Sequence, residues 1–438
     1  IHWRDWSSDV CSSDLVFGGG DVSYIGNQAG SSGTVDVTGG TWTFGIQLRV
    51  GNDGTGVLNL SAGTVINQLG VIGLQFEGSG TANVSGGTWT NLAELYIGNS
   101  GTGVLNLSGG SVSNGFGILG LNAGSSGTAN VSGGTWTNNG DLFVGYSGTG
   151  VLNLTGGKVS VGNGTLYLAN NGGSSGTLNI GTGTTVGTLN AAAVTSASGT
   201  AVVNFNHTGS VTFAPLLTGS LSVNKLAAGT TILSNTNTYT GATTISAGTL
   251  SVATIGNGGV AGNLGQATSA AGNLVFDGGT LQYTGSTATS DRAFTINAAK
   301  TATINTANGL TLAGATGTAT TGALTKTGAG TLTLTGTSTN TGATTISAGT
   351  LQIGNGSTTG ALASGSAITN NATLAFNRSN TITQGTDFGT ISGSGAVTQA
   401  GGGLLILNGT ITAQMHDAAG GRHGPGAGTR PPARPAVI

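Results

Sequence analysis

Glu94 and Asp141 are the side chains whose types and spacing come nearest to a catalytic pair. They stand 47 residues apart, and glycoside hydrolysis needs two carboxyls, one to protonate the leaving oxygen and one to activate water. On stacked coils rising by ~4.8 Å, two coils would separate their backbones by ~9.6 Å, near the roughly 6.5–9.5 Å used by inverting enzymes. The corresponding position in successive repeats reads Gln47, Val71, Glu94, Ile118 and Asp141, with no Lys, Arg or His recurring beside it. Such a series describes a solvated outer position, so catalytic residues are expected to be none. His207 is the only histidine between residues 16 and 413, and it lacks the second element of a triad. Gly51-Asn52-Asp53-Gly54 has the Asp of a calcium nonapeptide once, while the equivalent turns carry Ser100 and Ser147. A repeated calcium site would need Asp in every coil, so neither a metal nor a cofactor is expected.

The elements that would carry these residues follow from composition and period. Of 438 residues, 86 are Gly, only 5% are charged and 37% are hydrophobic. A flexible linker is excluded because the apolar residues alternate in short runs such as Val104-Leu105-Asn106-Leu107-Ser108, which is a strand signal. A net charge of −2 provides no basic stripe to neutralise phosphates, so nucleic acid is not an expected partner. The one cysteine, Cys11, lies outside the repeats, so no disulfide framework supports them.

Repeats dominate the first half. GTVDVTGGTWT at Gly33 and GTANVSGGTWT at Gly80 and Gly127 recur every 47 residues, and GVLNLSAGTV, GVLNLSGGSV and GVLNLTGGKV lie between them at Gly56, Gly103 and Gly150. The structural unit is therefore a half-repeat, about 23 to 24 residues long and so within the range of solenoid repeats, with a degenerate copy at Gly176. Each unit holds three runs of three to five residues, too short to be stable alone, and stacking supplies both their backbone partners and an apolar column. Leu58, Ala82, Leu105, Ala129, Leu152 and Leu178 are expected inside. So are Leu60, Val84, Leu107, Val131, Leu154 and Ile180. Between them Asp36, Asn59, Asn83, Asn106, Asn130, Asn153 and Asn179 form a column suited to an amide ladder. Several fit N-x-Ser/Thr sequons, but recurrence at one ladder position has a structural explanation. Trp42, Trp89 and Trp136 alternate with Val65, Val112 and Val159, which is how a stacked column fills space; the functional alternative is an aromatic stripe for sugars. Tyr96, Phe143 and Tyr167, interleaved with Gly73 and Gly120, are expected to face outward and are the candidate surface contacts for a glycan or a cell-surface partner.

After Pro215 the repeat changes. Thr240-Gly241-Ala242-Thr243-Thr244-Ile245-Ser246-Ala247-Gly248-Thr249-Leu250 returns 101 residues later, from Thr341 to Leu351. Leu324-Thr325-Lys326-Thr327-Gly328-Ala329-Gly330-Thr331-Leu332-Thr333-Leu334 precedes the later copy, and a variant opens at Val397-Thr398-Gln399. LTKTGAGTLTL followed by NTGATTISAGTLQIGNG resembles the autotransporter-associated β-strand repeat of type V secretion passengers. GVLNLSGGSV and LYIGNSGTG are similar to a repeat shared by type V secretion passengers and PEP-CTERM surface proteins. The resemblances imply an all-β, right-handed parallel β-helix (β-solenoid), with coils of about 23 to 24 residues in the first half. They imply a secreted, cell-surface, outer-membrane-associated passenger acting as a stalk or fibre with adhesive or self-associating faces, and an expected C-terminal translocator barrel.

Four segments are expected. Residues 1–15 hold two of the five tryptophans, lack the period, and read like translated sequencing adapter. Residues 16–190 are a β-solenoid of half-repeats, and 191–413 a β-solenoid with the autotransporter-associated repeats. Residues 414–438 hold four of the five prolines and read as a non-homologous or out-of-frame tail. No apolar run approaches the roughly 18 residues of a membrane-spanning helix, and no export signal opens the chain.

Overall fold

The computed structural model describes residues 22–162, 164–317 and 320–409, with the backbone of Leu15–Phe17, Met415–His416, Arg422–His423 and Ala436–Val437. The expectations for 1–15 and 414–438 otherwise fall outside the described residues. The protein is all-β: short parallel strands stack coil on coil as a β-solenoid, interrupted among the described residues by one 3-10 turn, Ala271–Asn273. Two compact units divide the chain, Ile1–Gly209 with Ala214–Val223, and Ser210–Phe213 with Asn224–Ile438.

In the first unit a typical coil consists of strands Ser79–Val84, Thr88–Asn91 and Glu94–Ile97. Each alternates outward and inward residues, because consecutive side chains of a strand point to opposite faces. The half-repeats pair in register, with Gly80 opposite Gly56 and Gly103, and Gly127 opposite Gly103 and Gly150. Leu58, Ala82, Leu105, Ala129, Leu152 and Leu178 are all fully buried in one inward column. Strands continue beyond the last half-repeat, at Thr188–Asn190, Ala193–Ser196, Thr200–His207 and Leu216–Gly219.

Turn glycines set how closely coils approach. Gly98 has φ +72°, and a Cβ there would lie 2.0 Å from the Ser126 carbonyl oxygen of the next coil, so the left-handed conformation and the close approach both exclude a side chain. Ala169 occupies the corresponding turn at φ 51°, a conformation that costs an L-residue about 1–2 kcal/mol.

The 47-residue period has a packing cause. Trp89 pairs with Val65 below and Val112 above, and Trp136 with Val112 and Val159. The glycines that answer the bulky coils are Gly70 and Gly117, whose Cβ atoms would fall 2.2 Å from Asn91 Oδ1 and 2.4 Å from Asn138 Oδ1. Large coils thus need small neighbours, and the repeat contains two coils rather than one.

The second unit stacks differently. One face carries Thr230–Leu233, Thr249–Val252, Thr280–Tyr283, Thr301–Thr306, Ala323–Thr327 and Thr344–Ile346. Another carries Leu310–Leu312, Thr331–Leu334, Thr350–Ile353, Thr373–Phe376 and Ala396–Gln399. On the first face, stacked partners run Thr249, Thr280, Thr303, Thr325, Thr345, so the coils are of unequal length. Four coils lead from Thr249 to Thr345, whereas the sequence repeat returns Thr249 as Thr350, five positions further on. Thr249–Val252 and its sequence match Thr350–Ile353 consequently lie on different faces. Val397-Thr398-Gln399 is displaced likewise, pairing on the face of Thr373–Phe376, whereas its counterpart Leu324-Thr325-Lys326 pairs with Thr344–Ile346.

Candidate contact surface

The side chains weighed for catalysis do not converge. Glu94 lies opposite Phe116 in the next coil, and the Phe116 coil separates it from Asp141, whose carbonyl accepts from the Gly117 N–H. The aligned outer column is thus Gln47, Leu69, Glu94, Phe116, Asp141, which corrects the expected membership of Val71 and Ile118. Those two belong two residues further along each strand, because the coils differ in length at the preceding turn. The Asp141 carboxylate accepts from the Thr165 backbone N–H at 2.8 Å, a tie to the next strand. His207 is buried, its Nδ1 is 3.0 Å from the Gly209 carbonyl, and its ring meets Phe205 edge-on. Among the described residues no three His, Cys, Asp or Glu side chains gather as a metal-binding group. The turn residue Asn52 donates its amide to Asn27 of the preceding coil.

The asparagines form a directional ladder. Asn59 donates to Asp36 Oδ1 at 2.8 Å, Asn83 to Asn59, Asn106 to Asn83, Asn130 to Asn106 and Asn153 to Asn130, and Asn179 and Asn204 extend the series. Each sequon nitrogen in this run is therefore already donating to the previous coil. A second polar set lies inside. Asn67 donates to Asn91 and Asn114 to Asn138, while the Trp89 and Trp136 indoles donate to Asn67 Oδ1 and Asn114 Oδ1 at 2.8 and 2.7 Å. Trp89 and Trp136 are fully buried and present no ring face to solvent. Trp42 is only half-buried and packs on Phe44 at 4.4 Å.

The outward aromatics align as Tyr24, Arg49, Val71, Tyr96, Ile118, Phe143, Tyr167. Val71 and Ile118 therefore fill the places expected for Gly73 and Gly120, which are turn residues with positive φ. Phe143 and Tyr167 stack at 4.9 Å with planes 12° apart, Tyr146 meets Phe143 edge-on, and the Arg49 guanidinium sits 5.2 Å over the Tyr24 ring. Burial, then the charge of Glu94, pushes the Tyr96 hydroxyl pKa upward.

Buried cations in the second unit were not anticipated from composition. Lys326 is fully buried, and its ammonium donates to the carbonyls of Thr327, Gly328 and Ala348 at 2.6, 2.8 and 3.2 Å. Lys225, its counterpart in the earlier copy, donates to the Ala227 carbonyl, and burial lowers the pKa of both to about 8. Gln399 fills the same sequence position with bonds to Gly401 and Gly403. The readable signal was a Lys or Gln directly before a glycine-rich turn whose carbonyls need donors. Two arginines clamp loops: Arg292 donates to the carbonyls of Gly256 and Gly265, and Arg378 to those of Gly360 and Thr358.

Ladders, buried turn cations and side chains used for stacking define a repeat-built β-solenoid whose outward columns are continuous surfaces. The Passenger-associated-transport-repeat family matches residues 224–252 and 324–353, so each match begins beside a buried turn lysine. The chain is also 38% identical over 114 residues to the adhesin BmaC autotransporter of Brucella suis biovar 1, a stretch that is 25% of this chain and 3% of that protein. No solved structure matches the chain. The chain carries the repeats of autotransporter passengers, and it spans only a small part of that relative.

Proposed function

We propose that this chain is a non-catalytic segment of a secreted passenger, displayed at the cell surface as a repeat stalk and anchored to the outer membrane through a C-terminal translocator barrel outside this sequence. The observation that carries the reading is the assignment of polar side chains to stacking: Asn83, Asn106 and Asn130 bond from coil to coil, and Asp141 ties down the next strand. A solenoid held this way is extended by adding coils. Protease treatment of intact source cells tests it, with the chain detected by antibody. Loss of signal before permeabilisation is expected, and protection until permeabilisation would refute surface display. A polysaccharide-degrading reading predicts that Glu94→Gln and Asp141→Asn abolish release of reducing ends; we expect no such activity in the parent chain.

A second reading, a glycan-binding adhesin, is favoured by the adhesin relative and the outward position of Tyr96, Phe143 and Tyr167. Replacing all three by Ala should then remove binding on a glycan array. A stalk of the PEP-CTERM type would share the fold but end in an apolar helix and basic residues, which sequencing the downstream locus would reveal.

A further inference from the structure

Four turns of the first unit share one hydrogen-bond pattern, in which the carbonyls of Gln28, Gln75, Asn122 and Asn171 each accept the backbone N–H three residues on. The last reads Asn171-Gly172-Gly173-Ser174, and Asn122-Ala123-Gly124-Ser125 stands two coils earlier. Gly173 and Gly124 both have φ +83°, so the two turns share a corner and differ at the residue that follows the asparagine. An asparagine before glycine carries its own chemistry, because no Cβ hinders the glycine nitrogen from closing on the side-chain Cγ as a five-membered ring.

We propose that Asn171 is a site of spontaneous backbone modification, converting through a succinimide to aspartate and isoaspartate with water as the only co-reactant. The Gly172 nitrogen, its proton lost to solvent base, bonds to Asn171 Cγ. The Cγ–Nδ2 bond then breaks, and ammonia leaves with a proton taken from water. Water opens either ring carbonyl, restoring the main chain as an aspartyl residue or routing it through the side-chain carboxyl as an isoaspartyl one. The surroundings favour ring closure. Asn170 Nδ2 donates to Asn171 Oδ1 at 3.0 Å, placed on the oxygen that gains negative charge as the ring forms. Ser147 Oγ lies 2.8 Å from Asn171 Nδ2, a hydroxyl beside the departing nitrogen. Asn171 and Gly172 are exposed, and the Gly172 N–H has no partner among the described residues.

Exposure alone does not select the site. Asn139, Asn257, Asn355 and Asn408 are also exposed and also precede glycine, but in each case the nitrogen that would attack is engaged. Gly140 donates to the Gly115 carbonyl at 2.7 Å, Gly258 to the Asp291 carboxylate at 2.6 Å, Gly356 to the Asn377 carbonyl at 2.7 Å and Gly409 to Gln384 Oε1 at 3.1 Å. The Gly309 N–H has no partner among the described residues, but neither does Asn308 Oδ1, whose amide nitrogen donates to the Gly285 carbonyl at 2.8 Å. Asn171 alone among these combines a free attacking nitrogen with a donor on the oxygen. Opening to isoaspartate would lengthen the main chain inside a turn that the Ser174 N–H and hydroxyl both close onto the Asn171 carbonyl.

Peptide mapping by mass spectrometry of the full chain held in mildly alkaline buffer, with isoaspartate labelled by an isoaspartyl methyltransferase, tests the proposal. Asn171 should exchange its side-chain NH2 for oxygen first among the described Asn–Gly pairs, and about tenfold or more faster than Asn122. In urea, Asn139 and Asn257 should convert as fast as Asn171. Gly172→Ala should lower the Asn171 rate to that of Asn122, and the fold should tolerate it, since φ is not positive there and a Cβ would meet nothing within 4 Å. Asn170→Ala, which removes an amide bonded only to Asn171 among the described residues, should slow conversion by about threefold or more. Equal rates at Asn171 and Asn122 in the folded chain, or Asn139 or Asn257 converting there as fast as Asn171, overturns the proposal. An unchanged rate in Asn170→Ala, or Asn308 converting ahead of Asn171, overturns the part given to Asn170 and Ser147.

Discussion

Individual residues in this protein serve the chain more than a ligand. Asn106 both donates to Asn83 and accepts from Asn130. Asn106→Ala should lower unfolding free energy by about 1–3 kcal/mol in denaturant melts, since one donor and one acceptor lose their partners. The turn position gives a pair of opposite sign. Gly98→Ala should destabilise by about 2–4 kcal/mol, because the new Cβ would meet the Ser126 carbonyl at 2.0 Å and the backbone would be strained. Ala169→Gly should stabilise by up to about 1 kcal/mol, as relief of the left-handed conformation exceeds the entropy that glycine adds to the unfolded chain. Lys326→Met should be more damaging than Lys326→Gln: methionine leaves three turn carbonyls without a donor, whereas Gln399 shows an amide serving an equivalent turn.

At the scale of the element, each strand is specified by its neighbours above and below. Gly117 is small because Asn138 and Trp136 of the next coil occupy its side-chain space, at 2.4 and 3.1 Å from where a methyl carbon would stand. A double-mutant cycle should expose this coupling: Gly117→Ala is expected to destabilise in the parent and to cost about 1 kcal/mol less in an Asn138→Ala background. Equal penalties would mean that the two-coil period has another cause. Buried Asn138 Nδ2 has no partner among the described residues, so the Asn138→Ala change removes an amide that is already imperfectly satisfied.

For the chain as a whole, the buried ionisable groups of the second unit set a pH response. Lys225 and Lys326 have folded pKa values of about 8, below the ordinary value near 10.4. Between these values the unfolded chain binds more protons, so stability rises as pH increases through that window. Tyr239 acts in the opposite sense. Burial raises its pKa to about 12, so its contribution is complete below an unfolded pKa near 10 and is lost as pH rises toward 12. Denaturation midpoints of the second unit should therefore climb from pH 8, peak near about pH 10 and fall beyond it. A profile that declines from pH 8 would contradict the buried-lysine assignment.

Period and alternation in the sequence determined that Leu105 and Leu107 face inward, that the asparagines stack, and that Trp89 shares a column with Val112, because in-register parallel pairing places equivalent residues of the first unit directly over one another. Sequence spacing alone misaligned Glu94 with Val71 and Ile118, since two residues more or less at a turn move the next strand by one outward position without altering the repeat beside it. It also left open where Lys326 goes and which face each later repeat occupies. Tertiary structure decided those points: coils of unequal length carry the matching strands Thr249–Val252 and Thr350–Ile353 onto different faces, and a lysine is internal only because three turn carbonyls close around its ammonium. Local sequence encodes the strand, but the length of the whole coil determines what the strand meets.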